Sequence, residues 1–105
     1  MLQAVFRDEG YRVAVVGDGQ AALEALAATR YDVVLSNVMM PRLDGCDLAN
    51  AMHADPTLRH IPVILMSAAG ARLVPRAPHA AYIPKPFDLG HLLAVVQGVL
   101  DVAAG

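Results

Sequence analysis

The chain has little of several residue types on which whole classes of function depend. Its 105 residues include no tryptophan, three tyrosines, two phenylalanines and one cysteine. The single thiol of Cys46 can neither form an internal disulfide nor bind a metal ion alone, which favours a reducing, cytoplasmic location. No apolar run reaches the roughly 18 residues of a membrane span. The apolar stretch at the start of the chain, Met1 to Phe6, is too short for the hydrophobic region of a signal peptide. We therefore expect a soluble protein without a membrane partner.

The chain also lacks an excess of positive charge. Eight lysines and arginines stand against ten aspartates and glutamates, which gives a net charge of −2. Direct binding to nucleic acid is not expected, because it requires a basic surface that neutralises phosphates. Apolar residues make up 56% of the chain and charged residues only 17%. This balance excludes intrinsic disorder and predicts one compact domain with an aliphatic core.

Short apolar runs alternate along the chain with segments of helical periodicity. After a short helical stretch that ends at Gly10, strands are predicted at 11–16, 32–39, 61–66 and 81–84, and helices at 20–29, 45–54 and 87–102. Asp44 is suited to cap the start of the second of these helices. Residues 68–80 contain a glycine and two prolines, which limit any helix there to a couple of turns. Strands that are apolar on both faces and alternate with helices predict an α/β fold with a doubly wound parallel sheet.

The carboxyl ends of the predicted strands carry the polar residues of interest. Function in such sheets gathers at this edge. The edge would present the amide of Asn37, the hydroxyl of Ser67 and the ammonium of Lys85. It is the only candidate site that the sequence predicts.

Three segments resemble the receiver domain of two-component response regulators. They are DVVLSNVMMPRLDG from Asp32, IPVILMSAAG from Ile61 and YIPKPF from Tyr82. The resemblance extends over nearly the whole chain and implies a flavodoxin-like (CheY-like) sheet with strand order 2-1-3-4-5. In the family, an aspartate that ends the third strand accepts a phosphoryl group from a histidine kinase. A hydroxyl and a lysine that end the next two strands contact the phosphoryl oxygens, and an acidic pair after the first strand holds Mg²⁺.

Matched to this sequence, the resemblance puts Asn37 at the phosphoacceptor position, Ser67 and Lys85 at the phosphoryl-contact positions, and Tyr82 at the position of the switch aromatic. An amide cannot act as the anionic oxygen nucleophile of phosphoryl transfer. It also removes one anionic ligand for Mg²⁺. We therefore expect no catalytic residue and no cofactor, with Ser67 and Lys85 hydrogen-bonded to the Asn37 amide. Ser36 is not expected to replace the acceptor, because adjacent residues of a strand point to opposite faces.

The family's first strand and its acidic pair have no counterpart here, because the sequence begins within what resembles the first helix. Asp8 and Glu9 would lie at the end of that helix and would not reach the strand-end edge. We expect one receiver-like domain over 1–105 that is N-terminally incomplete, with Mg²⁺ bound only if a longer protein supplies the acidic pair. The missing strand would leave a central slot between 11–16 and 32–37, with unpaired backbone groups on both sides. Upstream residues are favoured to fill it, ahead of a segment exchanged with a second copy or direct pairing of the two strands.

These observations predict a receiver-like signalling module of a two-component phosphorelay that is not phosphorylated, is not an enzyme and acts through protein–protein binding. The region around Tyr82 and the last helix would contact a histidine kinase or an output domain, and dimerisation or strand exchange is compatible with the same hypothesis. One alternative is a phosphoacceptor receiver that carries an Asn37 variant and lacks its upstream segment. Another is a small flavodoxin-like enzyme or nucleotide binder, although the sequence has no glycine loop of the kind that cradles phosphates.

Overall fold

Four strands and three helices make up the described part of the chain. The computed structural model describes residues 13–16, 18–38, 43–67, 79–84 and 88–104. The elements are β1 (Val13–Val16), α1 (Gly19–Ala28), β2 (Val33–Asn37), α2 (Gly45–Ala54), β3 (Val63–Ser67), β4 (Ala81–Pro84) and α3 (Leu89–Ala104). Each has the type that the sequence predicts. The predicted helix before Gly10, the predicted turns within 68–78 and the predicted site residue Lys85 lie outside the described residues.

Aspartate side chains satisfy backbone N–H groups at the start of all three described helices. The carboxylates of Asp18, Asp44 and Asp88 each accept a hydrogen bond from an N–H of the first turn, at 2.8, 2.8 and 2.6 Å. These N–H groups have no partner within the helix, so a side-chain acceptor is stabilising. The N-cap predicted at Asp44 is confirmed. No helix in the described part of the chain is long and apolar enough to cross a bilayer.

The four strands form one parallel sheet in the order β1-β2-β3-β4. Side chains that alternate along the strands supply two separate cores. The core on one face packs against α1 and α2 and contains Ala22, Leu26, Val34, Leu48, Ala49, Met52, Ile61, Val63 and Leu65. The core on the other face packs against α3 and contains Val33, Leu35, Ile64, Met66, Ile83, Leu92 and Val96. Helices therefore cover both faces of the sheet, as the apolar runs predict.

The expected empty slot next to β1 is absent, and this prediction is wrong. Val13 pairs directly with Val33 and Val16 with Ser36, in parallel register. The observed strands β1, β2, β3 and β4 correspond to strands 2, 3, 4 and 5 of the family order 2-1-3-4-5. In the described sheet, no strand lies between β1 and β2. Direct pairing satisfies the backbone N–H and C=O groups that would otherwise face each other across a gap, and each such orphan costs about 1 to 3 kcal/mol. The order with a place kept for a first strand therefore does not hold for the residues described.

Candidate functional site

The carboxyl ends of β2 and β3 lie side by side and carry two of the predicted site residues. Asn37 ends β2 beside Met66, and Ser67 ends β3 beside Pro84. The N–H of Val38 donates to the carbonyl of Met66 at 2.7 Å, which extends the pairing of the two strands past Asn37. The sequence correctly places an amide and a hydroxyl at adjacent strand ends. Asn37 is half-buried, whereas Ser67 is only 7% exposed.

The Ser67 hydroxyl forms a hydrogen bond with the phenol of Tyr82. The ring of Tyr82 packs against the core that α1 and α2 cover. One edge of the ring meets His79, with ring centroids 6.5 Å apart and planes at 69°. The structure thus joins the predicted phosphoryl-contact hydroxyl to the predicted switch aromatic. Among the described residues, the hydrogen bond of the Ser67 hydroxyl is the one to Tyr82, and the expected bond to the Asn37 amide is not formed.

The start of α2 contacts the backbone at the end of β2 through a glycine. The N–H of Gly45 donates to the carbonyl of Val38 at 2.9 Å. A Cβ on Gly45 would lie 2.2 Å from the carbonyl oxygen of Asn37 and 3.1 Å from Oγ of Ser36. Only glycine permits this approach, so Gly45 helps to fix the position of Asn37. The sequence reasoning missed this role, although the glycine of the quoted LDG segment was its visible signal.

Two carboxylates lie near this edge, and both accept hydrogen bonds from helix N–H groups. Asp18 starts α1 and Asp44 starts α2. The two helix starts meet where the N–H of Gly19 donates to the carbonyl of Leu43 at 3.1 Å. The residues described contain no group of three or more histidine, cysteine, aspartate or glutamate side chains that could hold a metal ion. Among the residues described at this edge, Asp18 and Asp44 thus serve as helix caps.

Neither Ser36 nor Cys46 is placed as a nucleophile. Ser36 is fully buried, and its hydroxyl donates to the carbonyl oxygen of Asn37 at 3.1 Å. The pKa of the Cys46 thiol is raised above its ordinary value by burial and by the nearby carboxylates of Asp44 and Asp47. A raised pKa disfavours the thiolate, which is the reactive form. Both residues are therefore part of the packing around the start of α2.

Among the described residues, the side chains that end β2 and β3 are a neutral amide and a hydroxyl bound to Tyr82. The oxygen of Asn37 is a hydrogen-bond acceptor and its nitrogen a donor, and neither is an anionic nucleophile. The Ser67 hydroxyl is already paired. These groups can bind a polar partner through hydrogen bonds, but they supply no carboxylate for attack on phosphorus.

Comparison with known proteins identifies the family. Residues 1–97 match the family model described as response regulator receiver domain. The transcriptional activator protein PfeR of Pseudomonas aeruginosa is 40% identical over 103 residues, which cover 94% of this chain and 33% of PfeR. The chain thus spans about a third of the length of this curated relative.

Solved structures show the same fold. The signal receiver domain of a signal transduction histidine kinase from Syntrophus aciditrophicus is similar with a TM-score of 0.82 at 30% identity, covering 95% of this chain and 79% of that one. The receiver domain of the sensor histidine kinase PA1611 from Pseudomonas aeruginosa has a TM-score of 0.80 at 30% identity, covering 95% of this chain and 85% of that one. The flavodoxin-like class predicted from the sequence is confirmed. The chain belongs to the response regulator receiver domain family.

Proposed function

We propose that this chain is a receiver module that accepts no phosphoryl group and signals by binding another protein. The observation that carries the proposal is Asn37 at the carboxyl end of β2, the position of the acceptor aspartate in the family. Phosphoryl transfer to a receiver requires a carboxylate oxygen as nucleophile, and a neutral amide does not supply one. A chain with this residue keeps the receiver fold but lacks the acceptor chemistry.

The metal chemistry of the site supports the same proposal. The PA1611 receiver structure is described as having a magnesium ion coordinated in its active-site cleft. In the described part of this chain, the carboxylates Asp18 and Asp44 are engaged as helix caps. Asn37 puts a neutral amide where the family has the acceptor carboxylate, which would be an anionic ligand. An edge with one carboxylate fewer has less affinity for a hard cation.

The hydrogen bond between Ser67 and Tyr82 supports a binding surface that keeps a single conformation. In the family, the hydroxyl and the aromatic respond to the phosphoryl group. Here the hydroxyl is buried and bound to Tyr82, whose ring packs into the core under α1 and α2. With no phosphoryl group to compete for the hydroxyl, phosphorylation does not act on these two side chains. The face around Tyr82 and α3 would then be presented constitutively to a histidine kinase or an output domain.

Intact-mass spectrometry tests the proposal directly. The chain is incubated with acetyl phosphate and Mg²⁺, beside a receiver domain that has the acceptor aspartate. We expect the control to gain one phosphoryl group and this chain to keep its mass. A stable adduct of one phosphoryl group per chain would overturn the proposal.

A second measurement tests the constitutive face. Beryllofluoride with Mg²⁺ mimics a phosphoryl group in the family's site. The ring resonances of Tyr82, identified by their loss in Tyr82→Phe, should not shift when it is added. A saturable shift of these resonances would show that the surface still responds to a phosphoryl mimic.

A further inference from the structure

A cavity of about 250 Å³ lies at the amino ends of β3 and β4. Asn37 and Ser67 lie at the opposite edge of the sheet, where β2 and β3 end. Its apolar wall includes Met52 of α2 and Ile61. Three nitrogen-bearing side chains also line it, from three separate parts of the chain. They are His53 in the last turn of α2, Arg59 in the segment before β3, and His79 before β4.

The charged side chains that line this cavity among the described residues are basic. The described residues that line it include no aspartate or glutamate. The carboxylate of Asp55 interacts with the charge of Arg59 and accepts hydrogen bonds from the N–H and hydroxyl of Thr57 at 2.8 and 2.7 Å. Asp55 lines a different cavity. The guanidinium of Arg59, together with the imidazoles of His53 and His79 when they are protonated, makes this a positive site.

We propose that this cavity binds a small tetrahedral oxyanion of the phosphate or sulfate type. Arginine and imidazolium N–H groups are the donors that recognise such an ion. The volume lies below the roughly 300 to 1,000 Å³ of pockets that take drug-sized ligands, so a nucleotide would not be enclosed. The proposal does not rest on the state of Asn37 and stands whether or not the chain is phosphorylated.

The site would also be connected to the Ser67–Tyr82 pair. His79 lines the cavity and meets the ring of Tyr82 edge-on. The Tyr82 phenol in turn is bound to Ser67 at the other end of the sheet. An oxyanion held by His79 therefore changes the electrostatic environment of Tyr82 without entering the strand-end site.

The four histidines of the chain allow a titration with internal controls. Proton NMR follows the pKa of each imidazole in sodium sulfate and in sodium chloride at equal ionic strength. Sulfate keeps its charge over the pH range in which imidazoles titrate. Bound sulfate stabilises the imidazolium form, so the pKa of His53 and His79 should be higher in sulfate than in chloride. His60 and His91, which do not line the cavity, should show the same pKa in both salts.

The affinity of the cavity for sulfate should depend on the charges of His53, Arg59 and His79. We expect a Kd of roughly millimolar at pH 6, because His53 and Arg59 are exposed and water screens their charges. Binding should weaken as the pH is raised from 6 to 8, because an imidazole that loses its proton also loses its attraction for the anion. The other titratable groups near the cavity are Asp55, which interacts with Arg59 and whose carboxyl pKa is lowered mainly by the hydrogen bonds from Thr57, and Tyr82, which contacts His79.

Substitutions separate this cavity from general surface charge. Arg59→Gln should weaken sulfate binding about fivefold or more, whereas Arg30→Gln, outside the cavity, should leave it unchanged. Equal pKa changes at all four histidines, or equal losses in the two arginine variants, would overturn the proposal. His79→Gln should also weaken binding. If that variant fails to fold, the titration of the parent chain and the exposed Arg59→Gln variant still decide the question.

Discussion

Alanine substitutions at two glycines should change stability in opposite directions, and the difference tests how α2 meets β2. Gly45 is the first residue of α2 and contacts the backbone of Asn37. Gly98 lies on the exposed side of α3, where a Cβ would meet nothing within 4 Å. The two variants add the same methyl group to a helix. Only the surroundings of that methyl group differ.

The structure sets the magnitude of the Gly45→Ala effect. The new Cβ would lie 2.2 Å from the carbonyl oxygen of Asn37 and 2.9 Å from its carbonyl carbon. These atoms belong to a paired strand and cannot move aside as a flexible side chain would, so α2 must shift. Overpacking of this kind costs about 1 to 3 kcal/mol. The helix propensity of alanine returns at most about 1 kcal/mol, so we expect a net loss of about 1 to 2 kcal/mol.

The new Cβ of Gly98→Ala meets no such obstacle, so this variant should be stabilised by the higher helix propensity of alanine. We expect its free energy of unfolding to rise by about 0.5 to 1 kcal/mol. Urea unfolding followed by circular dichroism measures both values, and thermal unfolding should move in parallel by about 4 to 8 °C per kcal/mol. A Gly45→Ala variant as stable as the parent chain would show that α2 does not approach the end of β2 as described.

Three further predictions follow from the structure. Asn37→Asp should gain little Mg²⁺-dependent labelling from acetyl phosphate by mass spectrometry, because the carboxylates described at this edge cap helices; labelling at the rate of an ordinary receiver would contradict this. Tyr82→Phe should lower the free energy of unfolding by about 0.5 to 1.5 kcal/mol, and its effect should shrink in a Ser67→Ala background, whereas strictly additive effects would argue against the hydrogen bond. Thr57 donates to Asp55 and so lowers the pKa of that carboxyl. The stability difference between the parent and Thr57→Val should therefore be present at neutral pH and disappear as the pH falls through the lowered pKa, and a difference independent of pH would refute this reading.

The sheet and its covering helices could be predicted because burial on both faces leaves a mark in the sequence. Val33, Val34 and Leu35 are consecutive and all fully buried, as are Ile64 and Leu65. Consecutive apolar residues of this kind are typical of a strand between two helical layers. The meeting of Asn37 and Ser67 at adjacent strand ends then follows from parallel pairing alone.

The contacts that define the site could not be predicted, because they depend on packing between distant parts of the chain. Ser67 and Tyr82 are separated by 15 residues and are joined only by the pairing of β3 with β4. The closeness of Gly45 to Asn37 depends on where α2 lies over the sheet. The same holds for His53 and His79, which are far apart in the sequence and line one cavity. Local periodicity carries no information about such distances.

Engineered cysteines can test the direct pairing of β1 with β2. Ala14 and Val34 are register partners on these strands. Neighbouring strands lie about 4.8 Å apart, whereas a strand between them would separate the two Cα atoms by roughly 9.6 Å. A disulfide needs Cα atoms within about 7 Å. In a Cys46→Ala background, Ala14→Cys with Val34→Cys should therefore cross-link on mild oxidation and appear as a linked peptide in non-reducing mass spectrometry. Ala14→Cys with Val63→Cys is the matched control, because Val63 is the β3 partner of Val34 and lies one strand further away. A folded chain in which the first pair stays reduced would mean that β1 does not lie against β2, and the slot that the sequence predicts would then be present.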